Sequence, residues 1–425
     1  MTFCFAPELI SSDHLPFIKR KIFTNDDYVW NRCGEGFGPQ DVIDEIRKTD
    51  YPIEYIWDDV LREQKLSVLK DALALTFIPT SHKSEKQRSN HKVALVCYGY
   101  YPDLAGYMCG FIANMPDYAD ILILSSRQET LEVYKKEIAA RNLVFGNVRF
   151  ELKPNRGRDI SSLLVAAAPF LQKYEAFCFI HDKKSKQVPY TFSRDFMRRC
   201  AVCCLDSKDY VKDLIDELFS DTRCGVLMPP IPYFADYFTP GAETFGKNAE
   251  ILRGLFERLN LNIPFDEKAV APFGTMFWAK TDALKDILTY PWKYEDFPDE
   301  PLGVDFTISH GIERVFAYCA QNRGFYSKWV MPPRFAGLYI NNLSYRLRDY
   351  NCELYRIFGL HNWLDMLNTL KGFSLSPKIT TTFRYGSYLR YKLLSKLFFG
   401  HRKEHYRKKY FALKAIKRER RIKFF

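Results

Sequence analysis

A short polar segment near the middle of the chain has residue types suited to holding a diphosphate. It reads Lys153-Pro154-Asn155-Arg156-Gly157-Arg158-Asp159, after an apolar run and before a helical pattern. Gly157 permits a tight turn, and a helix that begins there offers free backbone N–H groups to an anion. Arg156 and Arg158 add cationic donors, and Asp159 can cap the helix or accept a hydrogen bond from a ribose or a base. The alternative is a capped helix with solvated arginines.

A second segment ends an apolar run abruptly in the polar residues His181, Asp182, Lys183, Lys184 and Ser185. Glycosyltransferases of the GT-A type place a D-x-D group for a divalent cation at such a strand end. Asp182 is the single acid here, so it is the candidate ligand for Mg²⁺ or Mn²⁺. The two lysines could instead neutralise a departing diphosphate without a metal. The remaining alternative is a polar turn after a core strand.

Two later segments carry candidate acceptor-side residues. In the first, Gly274 allows the backbone to approach a ligand closely, and Phe277 or Trp278 could stack on a sugar. A buried aromatic strand explains the same rings. The second segment places ionisable groups at Asp305, His310 and Glu313.

An inverting glycosyl transfer needs a carboxylate that takes the proton of the acceptor hydroxyl. Asp305 or Glu313 could be that base. If a helix begins near residue 308, His310 and Glu313 share one of its faces. The alternatives are a surface ion pair between Glu313 and Arg314 and a packed or capping role for His310.

The hydrophobic pattern predicts a scaffold that brings these segments together. From residue 91, apolar runs alternate with helical patterns, and the runs are VALVCYGYY, DILILSS, VRFELK and AFCFIH. Such alternation predicts an α/β fold with a mostly parallel sheet flanked by helices. Ligands of these sheets bind at the carboxyl ends of the strands, where residues 153–159 and 181–185 are expected. Further strands are predicted at CGVLMPP and GTMFWAK, and helices at residues 41–48, 57–74, 104–115, 129–141, 159–172, 282–288 and 308–322.

The charge of the chain is concentrated at one end. The formal net charge is +11, and residues 381–425 contain fifteen Lys or Arg against two acids. Leu, Phe and Tyr interleave these bases, which favours amphipathic helices on an anionic membrane surface. Contact with a nucleic acid or a protein and a solvated tail are the alternatives. We expect no nucleic-acid partner, because the remaining residues are close to neutral and carry no such motif.

The cysteines and the N-terminus bear on the expected location. The eleven Cys show no zinc-type spacing and are expected to be reduced, packed thiols. We find neither a leader pattern nor a run near the ~20 apolar residues of a membrane span. The expected location is therefore cytoplasmic, and peripheral on the inner face of the plasma membrane.

Taken in order, four strings of the sequence resemble the rhamnan synthesis protein F family. They are Asn155-Arg-Gly-Arg-Asp159, His181-Asp-Lys-Lys-Ser185, Gly274-Thr-Met-Phe-Trp278 and His310-Gly-Ile-Glu-Arg314. The resemblance covers roughly residues 90–335. It implies transfer of a sugar, typically L-rhamnose from dTDP-rhamnose, onto a lipid-linked cell-surface glycan. It also implies Thr at the position of Asp182, a departure that favours a cationic cradle over a metal site.

The order of elements is also similar to the donor half of family 2 glycosyltransferases. That similarity implies a GT-A-like (Rossmann-like) sheet and places Glu313 where the catalytic carboxylate lies. We expect three regions, namely a helical accessory region (1–90), a GT-A-like domain (91–345) and a helical, basic extension (346–425). The expected function is an inverting glycosyltransferase. The alternative is a non-catalytic glycan- or nucleotide-binding module of a polysaccharide assembly complex.

Overall fold

A computed structural model of the chain describes residues 10, 38–80, 91–184, 190–232, 248–266, 268–300 and 306–358. The chain forms two compact units, residues 1–340 and residues 341–425. In the second unit, the described residues 341–358 are helical. Three predicted features lie outside the described residues: Ser185, Asp305 and the basic tail.

One mixed sheet organises the first unit. The part of the chain that the structure describes contributes eight strands to it: β1 (Thr76–Phe77), β2 (Val93–Tyr98), β3 (Asp120–Ser125), β4 (Asn147–Leu152), β5 (Ala176–His181), β6 (Cys224–Met228), β7 (Phe277–Lys280) and β8 (Tyr326–Val330). Their order is β1-β8-β6-β7-β5-β2-β3-β4. Every pairing is parallel except those of β7, which runs antiparallel to β5 and β6. The predicted α/β class with a mostly parallel sheet is confirmed.

The apolar character of the central strands explains their positions. All six residues of β2 and all six of β5 are buried, as expected for strands covered on both faces. Strand β4 lies at the sheet edge and has a mostly exposed pattern. Tyr98 pairs with His181 and Ser125 pairs with Leu152, so the four parallel strands β5, β2, β3 and β4 end at one edge. The carboxyl-edge prediction for residues 153–159 and 181–184 is therefore correct.

The antiparallel strand β7 brings a distant segment to the same edge. Phe277, its first residue, pairs with Phe179 near the end of β5. The residues just before β7, including Gly274, therefore lie beside the carboxyl end of β5. A parallel strand in this place would have put them at the opposite edge.

Helices cover the sheet. The α-helices in the described residues are α1 (Gly38–Ile46), α2 (Glu54–Glu63), α3 (Leu66–Ala72), α4 (Ala105–Ile112), α5 (Gln128–Ala140), α6 (Arg158–Ser161), α7 (Ala168–Leu171), α8 (Tyr190–Leu205), α9 (Lys208–Ser220), α10 (Ala249–Arg258), α11 (Lys285–Thr289), α12 (Ile308–Asn322) and α13 (Pro333–Phe358). Among them, α12 has the bounds that the sequence predicts. None of these helices is both long and apolar enough to cross a membrane.

Several elements differ from the predicted ones. The single predicted helix over residues 159–172 is α6, a π-helical segment (Ser162–Ala167) and α7 in succession. Strand β1 follows the helices of the N-terminal region and pairs with β8. Helix α9 was not predicted, although its signals are present in the sequence. Ser207 caps it by accepting a hydrogen bond from the Tyr210 N–H, and its apolar residues recur every three or four positions.

Candidate functional site

His181 ends strand β5 and is the centre of the carboxyl edge. Its side chain is buried, with Nδ1 2.8 Å from the Asp182 carbonyl oxygen and Nε2 2.7 Å from the Gly274 carbonyl oxygen. Carbonyl oxygens only accept, so both hydrogen bonds form together only when both ring nitrogens carry hydrogen. Asp159 Oδ2 lies 3.7 Å from Nε2 and places a negative charge beside the ring. The structure thus brings together two predicted donor-side residues from separate turns.

Gly274 links this histidine to Glu313. The Gly274 N–H donates to Glu313 Oε1 at 2.7 Å, while its carbonyl accepts from His181. Gly274 has φ +96°, and an added Cβ would lie 2.5 Å from Phe196 Cε1. The position therefore requires glycine for both its backbone angle and its space. Glu313 Oε2 lies 3.9 Å from Arg314 Nη1, so that oxygen is less tightly engaged than Oε1.

The beginning of α12 fixes the position of Glu313. Thr307 caps this helix, and His310 Nδ1 lies 2.8 Å from the Thr307 hydroxyl oxygen. Arg314 Nη1 donates to the His310 carbonyl at 2.7 Å. His310 thus takes the capping role, which was one of the two interpretations of the sequence, and Glu313 lies one turn into a firmly started helix.

Asp182 supports the loop after β2. Its Oδ2 accepts from the backbone N–H groups of Tyr100 and Tyr101 at 2.9 and 2.8 Å. Its Oδ1 is buried and has no hydrogen-bond partner in the part of the chain that the structure describes. Burial raises the pKa of Asp182 to about 6, although the two backbone N–H groups, His181 and Lys184 act in the opposite direction.

Lys153 belongs to the same edge and is absent from the predicted site residues. It follows β4 directly and is only 4% exposed. Its ammonium donates to the carbonyls of Pro154 and Arg156 at 3.0 and 3.1 Å and lies 5.0 Å from the centre of the Tyr98 ring. Burial lowers the pKa of Lys153 to about 8, against the opposing effect of nearby carboxylates. A lysine directly after a predicted strand, at the edge where ligands bind, was the available signal.

The two predicted arginines tie their turn to a neighbouring loop. Arg156 Nε donates to the Phe297 carbonyl at 2.6 Å, and Arg158 forms two 2.9 Å bonds to the Glu300 carboxylate. Gly157 has φ +69°, and an added Cβ would lie 2.7 Å from Phe297 Cγ. These contacts hold the turn in place, so neither guanidinium is a free donor at the carboxyl edge. Asn155 is exposed.

The two lysines after Asp182 have different surroundings. Lys184 forms an ion pair with Asp103, and its ammonium lies 4.9 Å from the centre of the Tyr101 ring. Lys183 lies 4.6 Å from the centre of the Phe196 ring instead. The predicted cationic cradle is therefore divided between two sides of Asp182.

Trp278 is part of the core. It is fully buried, and its Nε1 donates to the Cys204 carbonyl at 2.9 Å. Its ring is thus not at a surface that an acceptor could reach, because the inward face of β7 packs against α8. Phe277 is equally buried. Within the described residues, the buried-strand interpretation of these two aromatics is the one that fits the structure.

The side chains around Asp182 determine whether it can bind the predicted metal ion. Across the described ranges, no three His, Cys, Asp or Glu side chains are grouped so that they could hold a metal ion. One Asp182 oxygen already accepts two N–H bonds, and Lys184 adds a positive charge nearby. These residues do not fit a divalent cation, which prefers several oxygen ligands.

Similarity to known proteins extends over most of the chain. Residues 2–325 match the family described as rhamnan synthesis protein F. In two strains of Xanthomonas campestris pv. campestris, the relatives called "Uncharacterized protein WxcX" are 25% identical over 310 residues, which is 73% of this chain and 39% of theirs. The chain thus spans well under half the length of these curated relatives. Because the family match extends over most of the sequence, the chain belongs to the rhamnan synthesis protein F family.

Proposed function

We propose that this chain is a glycosyltransferase with a GT-A-like fold that acts in rhamnan or related polysaccharide synthesis. Family membership supports the role in polysaccharide synthesis. The observation that carries the transferase assignment is the connection of His181 and Glu313 through Gly274. It joins a candidate base to the strand ends where parallel α/β sheets bind their ligands. The proposed donor is dTDP-rhamnose, and the proposed acceptor is a lipid-linked glycan.

Glu313 is the proposed general base of an inverting transfer. Its Oε1 is held by the Gly274 N–H at 2.7 Å, which leaves Oε2 to accept a proton. The acceptor hydroxyl oxygen forms a bond to C1 of the sugar while the bond from C1 to the phosphate oxygen breaks. The hydroxyl proton moves to Oε2, and the nucleoside diphosphate leaves with the electron pair. Asp305 is the other candidate base and lies outside the described residues.

Cationic side chains are proposed to stabilise the leaving diphosphate. Lys153 follows β4, and Lys184 pairs with Asp103 after β2, so both lie at the carboxyl edge. The proposal is that both ammonium groups exchange these partners for the developing negative charge. Because the described residues do not fit a divalent cation, this proposal gives the lysines the role that a metal has in D-x-D enzymes. Asp159 is proposed to contact the donor beside His181.

The basic tail is proposed to place the enzyme at its acceptor. A lipid-linked glycan lies at the membrane, and residues 381–425 combine fifteen basic residues with Leu, Phe and Tyr. Each basic residue near an anionic surface contributes about 1 kcal/mol to binding. The proposed location is therefore peripheral, on the inner face of the plasma membrane.

The transferase proposal is tested with the full chain, a panel of nucleotide-sugars and a lipid-linked acceptor, with and without EDTA. Binding is followed by thermal shift and transfer by the change in acceptor mass. We expect dTDP-rhamnose to raise the melting temperature and to be consumed, with the same rate in EDTA. A chain that binds the nucleotide-sugar and never transfers it would favour a non-catalytic binding module.

A further inference from the structure

Arg199 on helix α8 is a buried cation with an unsatisfied donor. It is 3% exposed, and its Nη2 lies 3.2 Å from the Phe273 carbonyl and 3.3 Å from Cys200 Sγ. Its Nη1 donates to the Pro230 carbonyl. Within the described residues, its buried Nε has no hydrogen-bond partner. A buried charge normally has a carboxylate partner, because removing it from water is costly.

A second cation lies on the same aromatic ring. The centre of the Phe196 ring is 4.8 Å from Arg199 Cζ and 4.6 Å from Lys183 Nζ. Among the residues that the structure describes, no carboxylate forms an ion pair with either cation. Lys183 is half-buried, so it is the member of the pair that solvent reaches.

Arg199 also contacts the thiol of Cys200, with Nη2 3.3 Å from Sγ. Burial raises the pKa of the Cys200 thiol, while Arg199 and Lys183 oppose that rise and Glu313 adds to it. Phe196 also lies where a Gly274 Cβ would be, so its ring packs against the residue that joins His181 to Glu313.

We propose that Lys183 and Arg199 form an anion subsite for a phosphate or diphosphate group. A guanidinium fork and an ammonium are the donors that phosphate oxygens favour. A diphosphate carries enough negative charge to balance both cations, whereas a single carboxylate would balance one. The two cations of the subsite share the Phe196 ring, whereas Lys153 and Lys184 lie at the rings of Tyr98 and Tyr101. The group that the subsite takes belongs either to the nucleotide donor or to a phosphate-bearing acceptor.

The test measures binding of inorganic pyrophosphate to the full chain by calorimetry at low ionic strength. Replacement of Lys183 by Gln is expected to weaken pyrophosphate binding about tenfold, because one charge-assisted contact is lost. The matched control is Lys173→Gln. The Lys173 ammonium also lies over aromatic rings, 5.1 Å from the centres of Phe170 and Tyr174, but precedes β5 at the opposite edge. That control is expected to bind within twofold of wild type.

Arg199 needs two variants because it also holds backbone carbonyls. Arg199→Gln removes the charge, and Arg199→Lys keeps the charge without the fork. We expect weaker binding in both, with the larger loss in Gln, and circular dichroism reports whether each is folded. The subsite proposal is wrong if Lys183→Gln and a folded Arg199 variant both bind pyrophosphate within twofold of the wild-type affinity.

Saturating dTDP separates the two sources of phosphate. If pyrophosphate still binds in its presence and depends on Lys183, the subsite takes a phosphate of the acceptor. If dTDP displaces pyrophosphate and Lys183→Gln weakens dTDP binding, the subsite takes the donor diphosphate. Neither reading requires sugar transfer. If the chain binds pyrophosphate in a Lys183-dependent way but transfers no sugar, the proposed function is wrong and the subsite proposal stands.

Discussion

His181 and Glu313 bind opposite sides of one residue, Gly274. A nitrogen of the His181 ring donates to the Gly274 carbonyl at 2.7 Å, and the Glu313 carboxylate accepts from the Gly274 N–H at 2.7 Å. One side chain ends the central strand β5, and the other lies in helix α12, 132 positions further along the chain. A shift of the Gly274 backbone would therefore move the proposed base relative to the donor edge. This coupling leads to the first prediction.

Gly274→Ala is expected to reduce transfer strongly and to lower stability. The new Cβ would lie 2.5 Å from Phe196 Cε1 and 3.0 Å from Cys200 Sγ, at φ +96°. Strain and overpacking together should cost at least about 2 kcal/mol of unfolding free energy. The control is Gly254→Ala in α10, where no atom lies within 4 Å of the new Cβ. That variant should gain about 0.5–1 kcal/mol, measured for both by urea unfolding. Equal changes in unfolding free energy in the two variants would show that position 274 does not require glycine.

Glu313→Gln is expected to reduce kcat by about 10²–10⁴-fold, because the amide cannot accept the acceptor proton. The amide oxygen can still accept the Gly274 N–H, so folding and donor binding should be retained. Steady-state kinetics with varied donor and acceptor measure the change. Asp305→Asn is measured in parallel and should have the smaller effect. Full transfer by both variants would remove both carboxylates from the role of base.

Donor affinity is expected to depend on pH through Lys153. Its pKa is lowered to about 8 by burial, so the ammonium is charged below that pH and becomes neutral above it. The KM for the donor should therefore be lowest below pH 8 and rise as the pH passes through 8. Lys153→Arg keeps its charge and should remove this rise, while Lys153→Gln should have a high KM at every pH. The same rise in all three proteins would mean that another group titrates.

Asp182→Asn is expected to stabilise the protein at pH 7.5. Its pKa is raised from 3.8 to about 6, so the folded state holds this proton more tightly than the unfolded state. The contribution of Asp182 to stability is therefore full below pH 3.8 and lost as the pH rises through 6. The neutral amide avoids that loss, and its oxygen can still accept from Tyr100 and Tyr101. We expect a gain of about 1–3 kcal/mol at pH 7.5 and little change near pH 4.

Urea unfolding at the two pH values measures this difference. If Asp182→Asn instead destabilises the protein at pH 7.5, the charged carboxylate must have a favourable partner. That result would reopen the question of a cation bound at Asp182.

Removal of the residues after 378 is expected to abolish binding to anionic vesicles. The deleted segment carries the fifteen basic residues of positions 381–425. Flotation with vesicles that contain phosphatidylglycerol measures the bound fraction, and neutral phosphatidylcholine vesicles are the control. Binding of the full chain should also fall with added salt. If the shortened chain floats as well as the full chain, the tail is not the membrane contact.

Local sequence patterns are enough to predict the α/β class, the four parallel strands and the edge at which polar residues collect. Strand β5 shows the reason. Its sequence AFCFIH is apolar up to the last residue, because a strand that is buried on both faces must be apolar. Polar residues can begin only where the strand leaves the core. Local pattern therefore predicts which turns lie at the carboxyl edge, here those that hold Asp159 and Asp182. The bounds of α12 followed from local signals as well, because its cap and its apolar spacing are properties of neighbouring residues.

Long-range packing sets which of these polar residues face one another. Arg156 and Arg158 were equal candidates for donor binding by residue type, but the 294–300 loop engages both. Lys153 begins the same segment and was given no role from the sequence. It is a buried cation because the Tyr98 ring and two carbonyls surround it. The antiparallel direction of β7 results from its pairing with β5 and β6, which are distant in the sequence. No local pattern specifies whether such a pairing is parallel or antiparallel. That direction places Gly274 at the end of β5, where Glu313, which α12 positions, accepts its N–H.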